Sequence, residues 1–197
     1  GGRETMRILH VELIGGASGD MILGALIELG ADAKRLGQDL SSLPIEPFEI
    51  TATPFQGDKI HGVQVAVRVH EHAHPHARNL GDIRKIVAES KLPQRVKDLS
   101  LKVFERIAEA EAKVHGTTIE QVHFHEVGAL DSIIDIVGAC LGLDLLGVDE
   151  VAVGSFPAGL GTIECAHGVF PNPAPATVEL LKGFPVTQTD ETKELVT

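Results

Sequence analysis

The sequence predicts an α+β protein in which a mixed sheet packs with about five to six helices as a single domain. Three observations lead there. Residues 94–115 and 129–146 carry apolar side chains at a helix period. Short β-type runs stand between the helical stretches, at 8–14, 48–69 and 150–156. The two patterns alternate irregularly, unlike the strict alternation of a doubly wound parallel sheet. A chain of 197 residues with 43% apolar content can bury one substantial core. Its seven Phe, with neither Trp nor Tyr, leave that core to Val, Ile, Leu and Ala.

The elements follow in order. Residues 1–5, ahead of Met6, read as an expression remnant. Residues 8–14 form a first strand, followed by a turn at Gly15, Gly16 and Ala17. Ser18 is a good N-cap for a helix that runs through Asp20 to about Leu29 and closes at Gly30. A second helix, 31–40, ends before Pro44. Residues 48–69 alternate around the polar break 56–59 and predict an antiparallel hairpin. A histidine-rich arm, 70–79, comes next and is expected to be flexible because it is polar, has no apolar period and contains Pro75. Helices are expected at 80–90 and 94–115, the second with Val96, Leu99, Val103, Ile107 and Val114 on one face. Residues 129–146 are the most apolar helix and should be central. A strand at 150–156, a glycine-rich loop or hairpin at 159–168 and a short helix at 174–181 complete the reading. The strand-like end, 194–197, carries no stop signal, so the chain reads as part of a longer protein.

The net charge of −11 repels nucleic-acid backbones and anionic membrane surfaces. The lack of Trp and Tyr removes the usual stacking platforms for single strands. Neither nucleic acid nor membrane is therefore an expected partner, and no signal peptide or membrane span is apparent. Only two cysteines are present, Cys140 in an apolar helix and Cys165 in a loop. That usage suits a reducing cytoplasm.

The strongest chemical signal is VHFHEVGALDSIIDIVGACLG, residues 122–142. Asp131 and Asp135 are four apart in a helical pattern, where like charges share a face and repel. His123, His125 and Glu126 stand just ahead of them. Two carboxylates with nearby imidazoles suit a divalent metal; a solvated acidic face with core histidines is the competing interpretation. A second signal is His70, His72, His74 and His76 at alternate positions. On extended backbone these share one face, and imidazole suits nickel, zinc or copper. A polar loop with incidental metal affinity has the same composition.

Residues 15–20, GGASGD, join a strand to a helix, where backbone N–H groups attract an anion. Asp20 suits a metal bridging to that anion, although an ordinary capped helix would look alike. His167, in the loop after Cys165, is a candidate pocket residue or a structural hydrogen-bonder. No phosphate-binding Walker loop, dinucleotide fingerprint or nucleophile elbow is present.

Several segments together resemble one family. They are Ser18-Gly19-Asp20-Met21 with Leu23-Gly24-Ala25-Leu26, the histidine tract, residues 110–116 (AEAKVHG), residues 122–138 and residues 165–177. The order and the run His123-Phe124-His125-Glu126-Val127-Gly128-Ala129 are similar to the nickel insertion proteins that complete the nickel-pincer nucleotide cofactor of lactate racemase. Glu12, Leu13 and Ile14 depart from the family's usual Asp, small residue and aromatic before the turn.

The resemblance implies a nickel chelatase of the lyase class acting on pyridinium-3,5-bisthiocarboxylic acid mononucleotide. It implies that residues 6–197 are the N-terminal, nickel-handling domain. Cytidine triphosphate (CTP), with a divalent metal, would bind a C-terminal domain outside this chain, so the fragment alone is expected to be inactive. The expected site has Glu126, Asp131 and Asp135 as catalytic groups. Ser18, Gly19, Asp20 and His167 would contact the cofactor precursor. His70, His72, His74, His76, His123, His125 and Glu126 would ligate nickel. Expected partners are the nickel-pincer precursor and lactate racemase or another nickel-pincer apoenzyme, and a homo-oligomer is compatible with the sequence. The alternative is a non-catalytic nickel carrier or storage module with a histidine-rich capture arm.

Overall fold

A computed structural model describes residues 5–56, 61–69, 78–124, 129–165 and 168–196. Its centre is a pair of helices whose apolar faces the sequence lays out directly. Helix α4 (Gln94–His115) buries Val96, Ser100, Phe104, Ala108 and Ala112. It stops at Gly116, whose φ of +63° is the left-handed conformation that glycine adopts without strain. Helix α5 (Leu130–Leu145) buries Leu130, Ile133, Ile134, Val137, Gly138, Leu141 and Gly142. That spacing is one continuous stripe of an amphipathic helix.

Helix α1 (Gly19–Glu28) closes onto α5 because α5 has glycine where the two meet. A Cβ on Gly138 would stand 2.9 Å from Leu23, and one on Gly142 would stand 2.9 Å from Leu26. The other side of α1 lies under the hairpin formed by β2 (Phe48–Gln56) and β3 (His61–Val69). There Gly24 does the same work, since a Cβ on it would overlap the Val63 carbonyl. Helix α2 (Ala33–Leu40) is started by Asp32, whose carboxylate accepts from the amides of Lys34 at 2.9 Å and Arg35 at 3.0 Å. Helix α3 (Leu80–Glu89) begins with a reciprocal cap between Asn79 and Asp82, each bond 3.0 Å long. Phe104 is fully buried and meets Phe124 at a ring separation of 6.3 Å. Every member of the main buried cluster falls between Leu23 and Leu141.

The remaining strands associate in pairs. Strand β1 (Ile8–Val11) pairs in parallel with β6 (Glu150–Val153), and β7 (Phe156–Ala158) pairs in parallel with β10 (Val186–Gln188). Strands β8 (Thr162–Cys165) and β9 (Gly168–Pro171) make an antiparallel hairpin. Two-residue strands β4 (Arg78–Asn79) and β5 (His123–Phe124) pair beside the start of α3. Among the described residues the strands therefore associate in five pairs, two parallel and three antiparallel. With six α-helices among those residues, this is the expected α+β class. Helix α6 (Pro175–Leu180) is tied to α4 by the Lys113–Glu179 ion pair. Among the described residues, no helix is long and apolar enough to cross a membrane.

Candidate functional site

The start of α1 meets α5 at Gly19 and Asp135, and the charges of Asp20 and Asp131 act on the Asp135 carboxyl. The two helices pack at the closest approach glycine permits. A Cβ on Gly19 would stand 2.5 Å from both Cβ and Oδ2 of Asp135. That contact presses backbone onto the Asp135 side chain and strips water from it. Its Oδ1 is buried and finds no hydrogen-bond partner among the described residues. Burial first, then the charge of Asp20, then that of Asp131, pushes the Asp135 carboxyl up to about 6. These are the two ordinary routes to a raised acid: loss of solvation and like charge nearby.

Asp20 and Asp131 are exposed and sit in the first turns of α1 and α5. Asp20 Oδ1 accepts from the Met21 amide at 2.8 Å and from the Ser18 hydroxyl. Asp131 Oδ1 accepts from the Ser132 amide at 2.8 Å. Ser18 occupies the N-cap position of α1 as expected, but its hydroxyl makes no cap bond. It donates to Asp20 Oδ1, a charge-assisted bond. The turn before α1 spends some of its own amides. Gly16 N–H donates to Leu13 O at 3.1 Å and Ala17 N–H to Leu195 O at 2.7 Å. Those two donors are thus not available to an anion, which narrows the anion-binding reading of residues 15–20.

The structure thus gathers Ser18, Gly19, Asp20, Asp131 and Asp135 in one place. His123 is exposed on β5. Among the described residues, no three His, Cys, Asp or Glu side chains stand close enough to hold a metal ion. The carboxylates are therefore not a complete ligand set by themselves. His70, His72, His74, His76, His125, Glu126 and His167 lie outside the described residues.

Sequence reasoning did not single out an exposed pair at the end of β1. The His10 ring nitrogen lies 2.5 Å from Glu12 Oε1. The Glu12 carboxylate also fills the space beside Gly154, where a Cβ would stand 2.6 Å from Oε2. The period-two spacing of His10 and Glu12 on a strand was the available signal.

A desolvated acid near two further carboxylates concentrates negative charge that a cation would offset. Residues 9–197 match the nickel insertion protein family, and the chain belongs to it. Relatives named pyridinium-3,5-bisthiocarboxylic acid mononucleotide nickel insertion protein include one from Staphylococcus epidermidis, 44% identical over 97% of this chain and 48% of its own length. Another, from Staphylococcus saprophyticus, is 46% identical over 96% of this chain and 48% of its own length. A third, from Desulfitobacterium hafniense, is 45% identical over 98% and 47%. The chain spans about half the length of these relatives. No solved structure matches it.

Proposed function

We propose that this chain is the N-terminal, nickel-handling domain of a nickel chelatase of the lyase class. It would insert nickel into pyridinium-3,5-bisthiocarboxylic acid mononucleotide during nickel-pincer cofactor synthesis in the cytoplasm. One observation supports the assignment of the site: the buried, unpartnered Oδ1 of Asp135, on whose carboxyl the charges of Asp20 and Asp131 act. A divalent cation there relieves the mutual repulsion and satisfies that oxygen. Ni²⁺ is the substrate metal, and Asp131, Asp135 and Glu126 are the carboxylates that receive it. Binding drives the remaining proton off Asp135, since a ligating carboxylate must be ionised.

The imidazoles of His70, His72, His74, His76, His123 and His125 supply softer donors that suit nickel. They collect the ion and pass it to the carboxylates. We assign contacts with the anionic precursor to Ser18, Gly19, Asp20 and His167. The nucleotide-dependent step, with CTP and its divalent metal, belongs to the half of the family's length that this chain does not span. The finished cofactor goes to lactate racemase or another nickel-pincer apoenzyme.

The test is calorimetric titration of nickel, then of the metal-free precursor, into the parent and the Asp131→Asn variant. The proposal expects both ligands to bind the parent and nickel to bind the variant less tightly. Nickel binding without precursor binding would favour the carrier reading, which the four-histidine tract supports on composition. Equal nickel affinity in parent and variant would remove Asp131 from the site.

A further inference from the structure

We propose that Asn172 is a positioning residue for the carboxylate site, acting through the chain segment 189–196. The inference rests on the reading of Asp20 and Asp135 as part of that site. Asn172 does not contact either acid in the described hydrogen bonds. The residue is 9% exposed, and its side-chain amide nitrogen donates to Lys193 O at 2.9 Å and Leu160 O at 3.4 Å. One amide thus ties the loop before β8 to the segment that follows β10.

That segment behaves as a strap fastened along its length. Thr189 N–H donates to Ala158 O at 2.9 Å, and Leu160 N–H donates to Glu191 O at 2.7 Å. Beyond Lys193, Leu195 turns its side chain inward and is buried. Its carbonyl accepts from Ala17 N–H at 2.7 Å, and Val196 lies beside Ala17 as a parallel bridge. Ala17 is two residues before Gly19, the residue packed on Asp135. The strap therefore ends on the turn that sets where α1 begins.

Two glycines mark the places where the strap comes closest to other backbone. A Cβ on Gly159 would overlap the Asn172 amide and stand 2.7 Å from Lys193 O. Gly16, at φ +97°, faces the Leu195 carbonyl so closely that a Cβ would overlap it. A side chain at either position would drive the strap away. The main buried cluster contains no residue of the strap or of residues 148–196. Loosening the strap should therefore move the turn at 15–19 while leaving the α4–α5 core folded.

The experiment uses two variants that attack the strap from different sides. Asn172→Asp keeps the shape and removes the N–H donors; Gly159→Ala inserts a methyl group against the strap. Val169→Ala, at an exposed β9 position, serves as the control. Amide hydrogen exchange is read at Ala17 and at Phe104, and nickel ion alone is titrated by calorimetry. Both strap variants should speed Ala17 exchange about tenfold, the loss of one hydrogen bond, with Phe104 unchanged. Both should weaken nickel binding about tenfold, as expected when a support behind a ligand is lost. The control should match the parent in all three readouts.

Unchanged Ala17 protection in both strap variants would overturn the proposal. So would faster Ala17 exchange with parental nickel affinity, which would make the strap a structural tie only. Asp135→Asn, titrated in parallel, separates the two levels. If it binds nickel like the parent, the carboxylate site itself falls and the positioning role with it. If it binds weakly while the strap variants bind normally, only the positioning role falls.

Discussion

Replacing Asp135 by Asn should stabilise the metal-free protein while costing it nickel. The carboxyl is held at about 6 against an ordinary 3.8. An acid raised in this way binds its proton more tightly in the folded state than in the unfolded one. Its contribution is therefore fully present below about pH 3.8 and is lost as pH rises through about 6. That difference corresponds to about 3 kcal/mol between the two protonation states. Water reaches part of the side chain, and screening reduces the figure to about 1–2 kcal/mol. Asparagine has the shape of the protonated acid and never ionises. At pH 7.5 the variant should exceed the parent by that amount, which is a rise in Tm of about 2–4 °C per kcal/mol for a chain of this size. At pH 4 the two should nearly coincide. The assay is thermal unfolding by circular dichroism in chelator at both pH values, followed by nickel titration at pH 7.5. A lower Tm for the variant at pH 7.5, or a rise of equal size at both pH values, would refute the reasoning. Either result would mean that Asp135 is held by contacts rather than strained by desolvation and like charge.

Three further outcomes are expected. Gly19→Ala should lose about 1–3 kcal/mol in urea unfolding, because its Cβ has no room beside Asp135; an unchanged midpoint would show that α1 and α5 can separate freely. Replacing His70, His72, His74 and His76 together by Ala should leave circular dichroism unchanged and weaken nickel binding, most at low nickel. Parental nickel binding should itself fade below about pH 6, where imidazole takes up a proton, and equal affinity in the quadruple variant would end the capture role. Calorimetry with CTP and a divalent metal should show no binding to this chain, and specific heat of binding would relocate the nucleotide site to residues 15–20.

The helices were the most legible part of the fold, for a physical reason. An apolar stripe repeated over many turns can be buried in only one way, so the bounds of α4 matched the reading and those of α5 moved inward by one residue at each end. The β2–β3 hairpin was equally local, two alternating runs across a polar break. The parallel pairs were not legible, because the partners of β1 and β7 lie far along the chain and nothing near them encodes the pairing. Residues 150–156, read as one strand, divide into β6 and the start of β7, which take different partners. The two-residue strands β4 and β5 are too short to carry any period.

The candidate site divides along the same line. Asp131 and Asp135 were visible because like charges four apart on a helix need a reason. Their meeting with Asp20 depends on how α1 docks on α5, and that depends on Gly138 and Gly142 opposite Leu23 and Leu26. The glycines at 15, 16 and 19 illustrate what a local reading loses. In sequence they read as one glycine-rich turn, an anion site or an ordinary helix cap. In the fold two of them do separate work: Gly16 admits the Leu195 carbonyl and Gly19 admits Asp135. One partner is backbone and the other a side chain, each from a different part of the chain. A Cβ at Gly19 would push α1, and Asp20 with it, away from Asp135, and one at Gly16 would displace the Leu195 carbonyl.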